Sequence, residues 1–320
     1  MSVLVLTALV LADAGGVVDF RPSSSEASVP ALFRLEAATF RYETTPVRET
    51  ARHKVSTVRF PSPIESPDPV NNVVHAEFFE PTTPTDRKRA GVIVLHILGA
   101  DFALSRFMAS RLADSGVSAL FVKLPYYGER QPPGMGDQRR LLATDVDRAR
   151  LAMRQGICDV RRAAAWLSAR PEIDPERLGV TGVSLGGIVA AVSSAVGPEF
   201  RSSALLLAGG DLADLLWRMP QGAEERARWV ASGKTKADLE ELTRPFDPLT
   251  YAERLRGKKV LMMAGATDEV VPPESAKALW EKAGKPTIRW FDCGHYSAIG
   301  YLLPAVREMV DFFADAPKSE

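Results

Sequence analysis

Ser184 sits at the centre of Gly182-Val183-Ser184-Leu185-Gly186, between a largely apolar stretch (178–181) and a run of small residues that begins with Gly187. A strand pattern, a sharp turn and a helix pattern with serine at the apex present a hydroxyl for nucleophilic attack. Such a turn imposes strained backbone angles, and side chains two residues to either side would collide. Glycine at 182 and 186 removes those side chains. The pentapeptide alone is a weak signal, and its specificity comes from the strand and helix patterns that flank it.

A serine hydroxyl at neutral pH needs a base, and the base needs an acid to orient it. The chain has four histidines, His53, His75, His96 and His295. His53 and His75 precede the part of the chain where strands and helices alternate, and His96 closes an early core strand. His295, in "FDCGHYSA", directly follows the last strand-like stretch. Functional groups gather at the C-terminal ends of strands in an open parallel sheet, so His295 is the expected base. The acid is sought between Ser184 and His295. Asp268, at the end of "KKVLMMAGATD", is the expected acid, with Asp247, Glu269 and Asp292 as rivals. Asp247 precedes its strand, and Asp292 is too close in sequence to His295 for a side-by-side geometry. Two backbone N–H groups must also face the developing oxyanion. One is expected from Leu185. The other is expected from Leu98 or Ile97, in a loop that Gly99 turns back toward the serine, with His96 as a structural brace.

These groups need a scaffold that brings strand ends together. From residue 91 onward, short apolar runs alternate with helix patterns: "GVIVLHI", "VSALFVKL", the strand before Ser184, "SSALLLAG", "KKVLMMAG" and "TIRWF". Helices are expected at about 104–114 and 143–169. This rhythm predicts an α/β fold with a mostly parallel sheet covered on both faces. "KVSTVRF" and "NVVHAEFFE" predict an antiparallel edge. Residues 1–50 are expected to form a peripheral arm with one short helix, and 51–320 the main domain. The interval 211–256 interrupts the rhythm with two or three short helices and no strand, and is a candidate lid. Within it, Leu215, Leu216 and Trp217 suit an acyl chain or core packing equally. Arg218, Arg226 and Arg228 read as a solvated helix face that could also meet an anion.

The 320 residues are 46% hydrophobic and 25% charged, with 40 basic and 40 acidic side chains. That composition describes a globular domain with a sizeable core, and gives no electrostatic reason to expect nucleic acid or an anionic membrane as partner. Cys158 and Cys293 are the only cysteines, too few for a zinc ribbon or a disulfide framework, and read as buried thiols. No metal or organic cofactor is implied. The apolar run 3–12 has the length of a signal peptide, with residues 1–14 as the cleavable segment, but the first basic residue is Arg21. Cytoplasmic and exported readings both stand, no stretch is long enough to span a bilayer, and oligomeric state is not legible.

The motifs together resemble the α/β-hydrolase superfamily over about residues 55–315, with "HILGAD" and "GATDEVVPP" adding to the likeness. "GATDEVVPP" and "FDPLTYAERL" resemble the bacterial esterase and dienelactone-hydrolase-like branches; dienelactone hydrolases themselves carry cysteine at the elbow, and Ser184 in its place favours ordinary ester chemistry. A closer likeness is to the α/β-hydrolase domain-containing protein 18 family. It is carried by "PYYG" (125–128), the His96 to Gly99 loop, "TGVSLGG" (181–187) and "GHYSA" (294–298). The resemblance implies hydrolysis of a small-molecule ester or lipid-like substrate, with Tyr126 and Tyr127 lining the pocket. Aromatic core packing is the alternative for those two tyrosines. Peptidase or acyltransferase chemistry on the same residues, and a non-catalytic binding protein on the fold, are the rival readings.

Overall fold

The apolar runs of the sequence become strands of one sheet in the computed structural model, which describes residues 14–99, 102–135, 145–219 and 222–314. The strands are β1 (Ala14–Phe20), β2 (Ala38–Glu49), β3 (His53–Pro61), β4 (Val73–Pro81), β5 (Arg89–Leu95), β6 (Ser118–Val122), β7 (Ile173–Val183), β8 (Ser202–Leu206), β9 (Lys259–Gly265) and β10 (Thr287–Phe291). Their order across the ten-stranded sheet is β1-β2-β3-β4-β6-β5-β7-β8-β9-β10. The stretch from β6 to β10 is parallel, and β1 to β4 pair antiparallel at one side. Strands buried on both faces read as continuous apolar runs. Accordingly every residue of β6 is buried, and all but the first of β5.

Helices cover both faces. They are α1 (Ala103–Asp114), α2 (Val146–Ser168), α3 (Leu185–Val196), α4 (Leu212–Arg218), α5 (Ala223–Ala231), α6 (Lys236–Thr243), α7 (Pro248–Tyr251), α8 (Pro273–Lys282) and α9 (Leu302–Ala314). Two glycines show how closely the layers approach. A Cβ on Gly91 would lie 2.8 Å from Leu167 of α2, and one on Gly179 would lie 2.5 Å from Phe313 of α9. Gly91 pairs with Leu178, the neighbour of Gly179, so the two glycines point to opposite faces of the sheet. α2 and α9 therefore lie on opposite sides. The remainder of helix pattern 143–169 that precedes residue 145 lies outside the described residues.

The N-terminal segment differs from the expected arm with one short helix. β1 and β2 extend the sheet beyond β3, joined by two 3₁₀ turns, Ser24–Ser28 and Ala31–Phe33. Charged residues and Pro46 dilute the alternation in β2 and hide it from a pattern reading. The register shifts between Pro46 and Arg48, and such a bulge is where a strand can accommodate proline. The segment proposed as signal peptide falls mostly outside the described residues, and Ala14 opens β1.

Residues 211–256 form α4 to α7 with 3₁₀ turns at Arg244–Phe246 and Ala252–Leu255, and contain no strand among those described. α5 and α6 bury no residue. Among the described residues no helix is long and apolar enough to cross a membrane.

Candidate active site

After β5 the chain runs to β6 on one side, and β7 takes the other side of β5. In open α/β sheets the crevice beyond the strand ends at such a reversal is where ligands bind. The 96–99 loop follows β5 and Ser184 follows β7, so both lie at that point. The loops after β9 and β10 bring Asp268 and His295 to the same edge.

Ser184 adopts φ 54° and ψ −117°, a conformation rarely taken by a residue with a side chain. Its N–H donates to the Leu206 carbonyl at 2.9 Å, and its own carbonyl accepts from Ile188 N–H at 2.9 Å. These bonds anchor the turn to β8 and to the first turn of α3. A Cβ on Gly182 would lie 2.4 Å from the Gly186 carbonyl carbon, which accounts for one glycine of the motif. Gly186 has a further reason to be small. A Cβ there would lie 2.7 Å from the Leu95 and His96 carbonyl oxygens, so this glycine lets the elbow meet the loop after β5.

The His295 imidazole spans the gap between the other two residues. Its Nε2 is 3.0 Å from Ser184 Oγ, and its Nδ1 is 2.9 and 3.1 Å from the two Asp268 carboxylate oxygens. Asp268 is deeply buried, its side chain 1% exposed against 12% for His295. Its Oδ1 also accepts from the Val270 and Val271 N–H groups at 2.8 and 2.7 Å. A carboxylate committed to accepting leaves Nδ1 to carry the imidazole proton, so Nε2 is free to accept from the serine hydroxyl. The arrangement can take a proton from Ser184 and hold the resulting imidazolium against a buried carboxylate.

The loops are braced against each other. Thr267 N–H donates to the Cys293 carbonyl at 3.1 Å, and His295 N–H donates to Glu269 Oε2 at 2.9 Å. Ser297 Oγ accepts from Gly294 N–H at 2.8 Å. Glu269 and Ser297 thus hold the histidine loop through its main chain. Sequence reasoning weighed Glu269 only as a rival acid and passed over Ser297, whose place in "GHYSA" was the available signal. Asp247 caps helices instead: its buried carboxylate accepts from the N–H groups of Asp211, Leu212 and Leu249. Burial raises its pKa against the pull of those N–H groups. Asp292 is exposed, and its carbonyl accepts from the Tyr301 hydroxyl at 3.3 Å.

Leu185 opens α3, Ile97 is half-buried and Leu98 is exposed, and Gly99 takes φ 127°. Tyr126 and Tyr127 are both buried. Tyr126, at φ 69°, donates its N–H to Asn71 Oδ1 and its hydroxyl to Asp68 Oδ2. The Tyr127 ring packs on His96. A cavity of about 190 Å³ lies between α4 and the Asp268 loop, lined by Leu215, Arg218, Met219, Glu269, Val270 and Pro272. Both cysteines are free and buried, and burial pushes the Cys158 thiol up to about 12.

Among solved structures, the fold is similar to acetyl xylan esterase 1 from Thermoanaerobacterium sp. The TM-score is 0.63 at 21% identity, covering 85% of this chain and 87% of the other. The acetyl xylan esterase of Paenibacillus sp. R4 gives a TM-score of 0.65 at 17% identity, covering 84% and 88%. A putative dienelactone hydrolase of Klebsiella pneumoniae gives 0.56 at 18% identity, covering 82% and 99%. An uncharacterized protein of Mycobacterium tuberculosis (strain H37Rv) is 28% identical over 201 residues, which is 61% of this chain and 46% of the relative. The match thus spans about half the length of that relative. Residues 149–293 match the prolyl oligopeptidase family. Residues 33–208, more than half of the chain, match the family described as alpha/beta hydrolase domain containing 18, and the protein is a member of that family, built on the α/β-hydrolase fold.

Proposed function

We propose that the protein is a serine ester hydrolase that works through an acyl-enzyme intermediate. The observation that carries this reading is the continuous chain of contacts from Ser184 Oγ through the His295 ring to the buried Asp268 carboxylate. Ser184 Oγ attacks the acyl carbon while His295 Nε2 takes its proton. His295 returns that proton to the alcohol as the ester C–O bond breaks. Water then attacks the acyl-enzyme, giving its proton to His295, and the carboxylic acid leaves as Ser184 is reprotonated. Asp268 keeps the imidazole in the required tautomer and balances its charge. The Leu185 N–H and one N–H from Ile97 or Leu98 stabilise the oxyanion. The substrate class is a small carboxylic ester or lipid-like ester, in keeping with the esterases of similar fold. The helices of 211–256 act as a lid, with Leu215 and Met219 facing the loop that carries Asp268. Tyr126 and Tyr127 support the pocket wall from within the core.

A peptidase reading has one observation in its favour, the match of residues 149–293 to the prolyl oligopeptidase family. Both readings require an activated serine. A fluorophosphonate probe is expected to label wild type and to lose Ser184→Ala and His295→Ala, with hydrolysis of p-nitrophenyl acetate falling on the order of 10⁵-fold or more in each. Folded wild type that neither labels nor hydrolyses would turn the reading toward a binding protein. Cleavage of peptide but not ester substrates would favour the peptidase.

A further inference from the structure

We propose that His96 is a positioning residue that aims the Leu98 N–H, and not that of Ile97, at the oxyanion of the proposed ester hydrolysis. The inference rests on that reading of Ser184.

His96 follows the last residue of β5 and is fully buried. Its ring packs against Phe102, Phe121 and Tyr127, with centroids 5.0, 6.3 and 4.5 Å away. Both ring nitrogens are engaged by backbone groups whose roles are fixed. Leu124 N–H can only donate, and it lies 3.0 Å from Nε2, which must therefore be unprotonated. The Ile97 carbonyl can only accept, and it lies 2.7 Å from Nδ1, which must therefore carry the proton. The imidazole is thus a neutral bracket of one defined tautomer. Burial pushes its pKa down to about 4, which keeps it neutral across the working range of an esterase.

The bracket sets the direction of two peptide units. Leu124 lies just beyond β6, and β6 and β7 flank β5 on opposite sides. The ring therefore leans toward β6 and draws the Ile97 carbonyl with it. No peptide bond among the described residues is cis, and in a trans peptide the C=O and the following N–H point in opposite directions. Leu98 N–H consequently points to the β7 side, where Ser184 and the Leu185 N–H lie. The preceding peptide is turned the other way. Its carbonyl, that of His96, is packed against the Gly186 backbone, so Ile97 N–H faces away from the elbow. Within the loop, the buried His96 side chain encodes this choice.

Two pairs of variants test the inference, with p-nitrophenyl acetate as substrate, a trifluoromethyl ketone as oxyanion-forming inhibitor, and rates taken per fluorophosphonate-labelled serine. In His96→Leu, kcat is expected to fall on the order of 10²-fold with KM nearly unchanged, and ketone inhibition to weaken by a similar factor. His96→Asn keeps an N–H within reach of the Ile97 carbonyl and is expected to recover most of the loss. Replacing Leu98 by its α-hydroxy acid, which deletes only the N–H, is expected to cost a similar factor, and the same replacement at Ile97 little. His96→Leu with wild-type kcat per labelled serine, or equal losses at positions 97 and 98, would overturn the inference. Should His96→Leu not fold, the Asn variant and the hydroxy-acid pair still decide it. Wild type without labelling or hydrolysis would instead sink the esterase reading and this inference with it.

Discussion

Asp268 meets three groups at once: both its oxygens face His295 Nδ1, and Oδ1 also accepts the N–H groups of Val270 and Val271. Asp268→Asn would preserve its size while letting a side-chain N–H face Nδ1. That would favour the imidazole tautomer with the proton on Nε2, which cannot accept from Ser184. The expected result is a fall in kcat on the order of 10⁴-fold with fluorophosphonate labelling slowed in parallel and the melting temperature little changed. Activity within tenfold of wild type would point to Glu269 as the working acid. His96 leads to a prediction about pH. Its pKa drops from 6.5 to about 4 on folding, so the unfolded chain binds more protons between those values. Stability is therefore whole above pH 6.5 and declines as the pH falls toward 4, by about 3 kcal/mol in total. His75 shifts in the same direction through burial, so the test is a difference. Urea unfolding of wild type and His96→Asn at pH 7 and pH 4 should show the wild type losing more by about that amount, and parallel losses would refute it. Ser184, Asp268 and His295 were legible in the sequence because each ends a strand-like run in a characteristic chain order. Ile97 and Leu98 could not be told apart, because the His96 ring orients that peptide through a bond to the distant Leu124 N–H, which the sequence does not reveal.

Elements were legible where burial on both faces makes a strand uniformly apolar, as in β5 and β6, and where a helix pattern is long, as in α2. What stayed hidden is the polar joinery between them. Arg130, just after "PYYG", forms a fully buried ion pair with Asp159 of α2 at 2.8 Å, and its guanidinium also donates to the Asn71 and Lys123 carbonyls. Ser62 donates to the same aspartate, and Gln155 of α2 accepts from Asn71, whose Oδ1 holds Tyr126 N–H. This cluster fastens the tyrosine loop after β6 to α2 and to the turn before β4. In sequence these residues are scattered charges and amides, and nothing in their spacing reveals that they meet. Removing one partner of a buried pair leaves the other charge without compensation. Arg130→Met should therefore destabilise the fold by about 3–5 kcal/mol in urea unfolding. The double variant Arg130→Met, Asp159→Leu should recover much of that loss. A single variant within about 1 kcal/mol of wild type would mean that water reaches the pair.

At the scale of the whole molecule, the question is whether residues before β3 are an appendage or part of the core. Val18, Val29, Phe33, Leu35 and Phe40 are all buried. Phe33 packs edge-on against Phe246 and Tyr251, at the base of the proposed lid. Glu26 pairs with Arg161 of α2 at 2.7 Å, and Arg161 also binds Glu199 and the Phe33 carbonyl. The segment therefore crosses from the antiparallel edge to the helices that support α3 and the elbow. Burying five such side chains is worth on the order of 10 kcal/mol at most. A domain's entire stability is about 5–15 kcal/mol. Deletion also strips a buried arginine of one carboxylate and bares the edge of β3, a template for aggregation. A chain beginning at residue 50 is accordingly expected to lack a cooperative urea transition and to be degraded by protease under conditions that spare the full chain. It should also fail to label at Ser184, although no residue of the proposed triad has been removed. A truncated protein that unfolds cooperatively and keeps its labelling would make the segment the detachable arm that the composition of residues 1–50 suggests.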